Sequence, residues 1–225
     1  MHAEHTNQPT MKQWINHIRS LIQSPTTGVP FDGSRDAQEA YISSFQDEYG
    51  NRRSTDRPFL NHLFGLKKPL AQPLDDLPID EQLWWMVQSQ SYTAEQVFEI
   101  ISPEGGLLRD ETLAIEYRTK VELCGLHACW IIAQETSSER LKARCFDAAA
   151  WHTRQLQPDN AINRPWATQV FLALSHQSDD PETRNLAHLH AQTLIHNTSI
   201  SFGKPDLLSA LILHDVVRSL NHFTQ

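Results

Sequence analysis

The sequence predicts an all-α fold assembled from antiparallel helix pairs. Apolar residues recur at three- and four-residue spacing through most of the second half, the period of one helix face. Helix-start chemistry, a capping side chain or an early proline, precedes several of those runs. Glycine is scarce, at 8 of 225 residues, too few for the tight turns of a β-sandwich or barrel.

Residues 1–10 read as a tail. A helix is expected over 11–23, with Trp14, Ile15, Ile18, Leu21 and Ile22 on one face. The stretch 24–33, SPTTGVPFDG, is loop chemistry, and Ser34 can cap a helix over 35–49 that Gly50 ends. Residues 50–79 hold Pro58, Pro69, Pro73 and Pro78 and few periodic apolar positions. They read as a long connection wrapping the surface. The chain thus divides into an N-terminal arm, 1–79, and a helical-hairpin domain, 80–225. Asp80 is placed as the cap of a helix reaching about Gln90, carrying Leu83, Trp84, Met86 and Val87. Thr93 and Gln96 form a capping box opening a short helix, broken by the glycines after Pro103. A long helix follows over 110–135, with Leu123, Leu126, Trp130, Ile131 and Ile132. Ser137 and Ser138 restart the chain as a helix to about Leu156. Asn163 is expected to cap the next, with Pro165 in its first turn, where a missing N–H costs little. Asp180-Pro181-Glu182 starts a helix to about Ile195, and Pro205 opens the last one.

Two segments match in layout, 130–152 and 171–196. Trp130 aligns with Phe171 and, after a short insertion, Arg140 with Arg184 and His152 with His196. Each is an apolar helix end, a polar turn and a second helix with small residues in its middle. A recurring helix pair buries its apolar face only by stacking on its neighbour. Over 110–200 this unit resembles the helical hairpins of α/α toroids, the barrels of many carbohydrate-active enzymes and terpenoid cyclases. The resemblance implies alternating inner and outer helices around a central cavity. No catalytic signature of such a family can be matched here, and the chain supplies fewer helices than a closed toroid needs. An open, partial toroid or superhelix is the expectation.

Nineteen Lys and Arg against 27 Asp and Glu leave a formal charge of −8. That balance disfavours a phosphate-backbone partner, since such binding draws on Lys and Arg. The longest basic runs are Arg52-Arg53 and Lys67-Lys68, so no nucleic acid is expected. The three cysteines, Cys124, Cys129 and Cys145, are an odd set among apolar helical residues and point to a reducing compartment. No export signal and no apolar membrane span is seen, so no membrane role and a cytoplasmic location are expected. No phosphate loop, dinucleotide fingerprint or nucleophile elbow is present, and no cofactor or metal is expected.

The densest polar segment is 152–166. His152, Gln157, Asp159, Asn160, Arg164 and Trp166 are its candidate ligand-binding residues. Amide and carboxylate groups, a planar cation and a flat indole are what sugar recognition uses. The same residues also serve plain structure: Asp159 and Asn160 as turn residues, Asn163 as a cap, Trp166 as a core anchor. His152 and His196 read as polar tips at helix ends. His188 and His190 point apart on a helix and cannot share an ion. His214-Asp215 resembles the His-Asp pair of metal-dependent phosphohydrolases, but no later aspartate follows. Two functions are carried forward: a helical-repeat interaction or scaffold protein with a protein partner, and a toroid-like domain binding or processing a carbohydrate or other small molecule at 152–166. Whether the chain is an enzyme stays open.

Overall fold

The computed structural model describes residues 8–69, 77–90, 92–108, 114–155 and 164–223. Among them are ten helices and no strand. They are α1 (Met11–Ile22), α2 (Arg35–Ser44), α3 (Asp56–Leu63), α4 (Ile79–Ser89), α5 (Ala94–Ile100), α6 (Ile115–Glu135), α7 (Glu139–Gln155), α8 (Thr168–Gln177), α9 (Pro181–Asn197) and α10 (Leu207–Phe223).

Alternate helices form an inner row, in which α4 packs on α6, α6 on α8 and α8 on α10. Outside it, α7 packs on α6, α9 on α8, and α7 and α9 on each other. The outer partner of α10 is α1, brought back from the start of the chain. Composition explains the order. From Val121 to Ala133 every residue of α6 is buried, polar Glu122 and His127 included. A helix apolar on all sides belongs in the middle. By contrast α1 buries only Met11, Trp14, Ile15, Ile18 and Ile22, a single stripe suited to an outer position. Gly125 lets α4 lie close against α6: a Cβ there would already touch Leu83 Cδ1, at 3.4 Å. One apolar cluster runs from Met11 to Leu220. Ile18, Phe59 and Leu60 of the first 79 residues are fully buried in it.

Several boundaries differ from expectation for local reasons. Thr10 and Gln13 form a capping box that starts α1. The second helix stops at Ser44 because Asp47 accepts the N–H groups of Tyr49 and Asn51 in a turn, and Arg52 donates to the Ile42 and Ser43 carbonyls. The 50–79 connection contains α3, which sequence reading missed. Pro58 lies in its first turn, where no intrahelical N–H bond is lost. Asp80 is not the cap of α4: Pro78 precedes the helix, and Asp80 is a buried first-turn residue. The eighth helix begins at Thr168, after Ala167 at φ 59°, so Pro165 and Trp166 precede it. Thr93–Gln96 and Asp180–Pro181 cap as expected. Asp206 accepts the Ser209 N–H and starts α10. Asn163, Leu156 and the 110–113 helix start lie outside the described residues.

Candidate functional site

Of the six residues singled out on 152–166, Gln157, Asp159 and Asn160 lie outside the described residues. The other three occupy separate interior positions. His152 is fully buried rather than a polar tip, with Nε2 3.6 Å from Glu122 Oε2. Glu122 accepts the N–H groups of Leu107, at 2.6 Å, and Leu108, at 2.8 Å. Burial alone would raise its carboxyl; His152 and those two amides overcome that and lower it. Gly106 is required beside it, since a Cβ there would come within 2.5 Å of Glu122 Oε1. Arg164 donates to both Glu48 oxygens, at 2.9 and 3.0 Å, and to Asp206 at 2.5 Å. It ties the 45–55 segment to the start of α10. Trp166 is 2% exposed, and its ring meets Phe59, Trp84 and His127 at centroid distances of 5.0, 5.6 and 5.2 Å. No open indole face is left, and none of the three lines the clefts below.

A different polar constellation lies on the inner row. The Ala167 N–H donates to His127 Nδ1, at 3.2 Å. The proton of that ring is therefore on Nε2, which donates to Asp215 Oδ2 at 3.0 Å. The other Asp215 oxygen receives Arg218 Nη2 at 2.7 Å. Arg218 Nη2 also donates to His62 Nε2, and Nη1 to the Leu63 carbonyl. A guanidinium can only donate, so His62 accepts on a bare ring nitrogen. Burial by itself would raise the Asp215 carboxyl; the Arg218 cation and the His127 N–H reverse that and hold it well below the usual range. Burial lowers His127, against the pull of Asp215. His214, the other half of the His-Asp pair, turns away and stacks on Phe31 at 4.1 Å. Among the described residues no group of His, Cys, Asp and Glu has a metal-binding arrangement. Sequence carried only the Asp215/Arg218 spacing of one helical turn; His62 and His127 are distant along the chain.

Asp215 and Arg218 form the floor of a cleft of about 490 Å³, with His62, Gln90, Glu135 and Ser219 around it. A second cleft of about 480 Å³, lined by Trp130, Lys142, Phe146 and Gln177, shares Gln134 and His222 with the first. The C-terminal turns of α3, α4, α6, α8 and α10 therefore meet along one trough.

On the outer layer α1 and α9 touch through the Trp14 and His188 rings, at 5.5 Å, and then diverge. Between them runs a groove of about 740 Å³. Gln13, His17 and Leu21 of α1 form one wall, Leu189, Thr193 and His196 of α9 the other, and among the described residues no Asp, Glu, Lys or Arg lines it. Leu189 is 57% exposed, and Ile200 and Phe202, just beyond α9, are also exposed.

No protein-family model, curated protein or solved structure matches this chain. No described helix is long and apolar enough to cross a membrane.

Proposed function

We propose that the protein is a helical interaction protein that receives the apolar ridge of a partner helix in the α1–α9 groove. The observation carrying this is the uncharged groove itself, with Leu189 more than half exposed on its wall. Both walls repeat at helical spacing, 13, 17 and 21 against 189, 193 and 196. Two such ridges leave a furrow into which a third helix can set its own. One residue in five of the chain is charged, yet none of the described residues lining the furrow is Asp, Glu, Lys or Arg. The partner's ridge is correspondingly apolar and uncharged. Free Cys124, Cys129 and Cys145, all buried, support a reducing, cytoplasmic setting for this interaction. A glycan or other small molecule at 152–166 draws no support from Trp166, whose faces are covered.

The test is selection of a displayed library of amphipathic helices against the full chain, with Leu189→Glu as counter-target. Leu189 is exposed, so its substitution leaves the core intact. Enrichment of helices with an uncharged ridge that bind the wild type and lose the variant supports the proposal. No enrichment, or binders indifferent to Leu189→Glu, refutes it.

A further inference from the structure

The trough at the C-terminal rim of the inner helices carries a second inference, on residues separate from the α1–α9 groove. We propose that it binds a linear aliphatic di- or polyamine, one ammonium at Glu135 and another over the Phe146 ring. Shape comes first: two clefts of similar size adjoin, sharing Gln134 and His222, so a ligand that reaches both must be elongated. Charge decides its sign. The Arg218 cation is cancelled by Asp215 at 2.7 Å, and Lys142 by Glu139 at 2.6 Å. His62 accepts from Arg218 and adds no positive charge at that nitrogen. Glu135 is exposed, and its hydrogen-bond partner is the neutral Tyr92 hydroxyl, so its charge is left over. Five helices end here against one, α7, that starts here, so the helix ends add a net partial negative charge, each end being about half a unit. An anion would be repelled, and a neutral ligand would gain nothing from this residual charge.

The far end favours a cation for another reason. Phe146 is half-buried, lines the second cleft and packs on Trp130 at 5.3 Å, leaving an aromatic surface for an ammonium. Ile131, buried on the wall between, offers an apolar stretch to methylene groups.

Titration calorimetry of the full chain with spermidine, at physiological salt, tests this. Saturable one-to-one binding is expected. Glu135→Gln keeps an acceptor for Tyr92 and is expected to weaken binding about tenfold, the loss of one charge-assisted bond. Phe146→Leu is expected to weaken it about threefold, the scale of a cation–π contact. Glu182→Gln removes the same charge from the start of α9 and is expected to change nothing. The inference is overturned if spermidine gives no saturable heat, if Glu182→Gln weakens it as much as Glu135→Gln, or if inorganic phosphate or a neutral oligosaccharide binds the trough in its place.

Discussion

Asp80 shows what a single buried carboxylate does to this fold. It is 3% exposed in the first turn of α4, and burial pushes its pKa up to about 6, partly opposed by Arg53. The folded state therefore holds a proton that the unfolded chain has released between pH 4 and 6. Stability falls as pH rises through that window. From an ordinary value of 3.8 to about 6 the difference is roughly two units, or ~3 kcal/mol at pH 7. Asp80→Asn is expected to stabilise the protein by that order at pH 7 and by almost nothing at pH 4, read from urea midpoints at the two values. An equal effect at both would remove burial as the cause. Asp215 has the opposite sign: its lowered carboxyl contributes stability above about pH 4 that is lost on further acidification. Removing it leaves the buried His127 N–H without an acceptor, while Arg218, about a third exposed, stays solvated, so Asp215→Ala is expected to cost about 2–3 kcal/mol at pH 7. A loss below about 1 kcal/mol would contradict the buried network. Neither residue announced this in the sequence. Asp80 looked like a cap because an aspartate before an apolar run usually is one, and Asp215 looked like half of a metal pair. Their burial is set by α6, which passes both, and that contact is tertiary.

Helices were legible where local chemistry decides them and obscure where it does not. The Thr93–Gln96 box and the Asp180–Pro181 start appear as read, because side chains two or three residues away satisfy the free N–H groups. Asp180 accepts from Glu182 and Thr183, so Asp180→Ala is expected to lower the thermal unfolding midpoint, and Asp180→Asn to lower it much less. The third helix was hidden by Pro58, a breaker in a helix interior but harmless in a first turn. The candidate segment 152–166 begins at the end of α7, as read, but Pro165 and Trp166 precede α8 where they were expected in its first turn. Its polar residues could not be assigned direction from sequence, because Arg164 answers to Glu48 and Asp206, both far along the chain. The groove on α1 and α9 was invisible for the same reason: each wall is an ordinary amphipathic helix, and only their separation makes it.

At the scale of the whole molecule the all-α architecture follows from simple accounting of apolar faces. Helices buried on all sides form the inner row, and helices with one stripe cover it. The N-terminal helix closes the outer layer on α10 and meets α9 through the Trp14 and His188 rings. The groove between them is a place in that layer with no described helix in it, and it is there that the proposed partner would complete the layer. The most direct measurement is amide hydrogen exchange on the full chain, free and saturated with the tightest helix selected. Protection is expected along 13–21 and 189–199, with the rim trough unchanged. Protection confined to other surfaces, or none, would contradict the account.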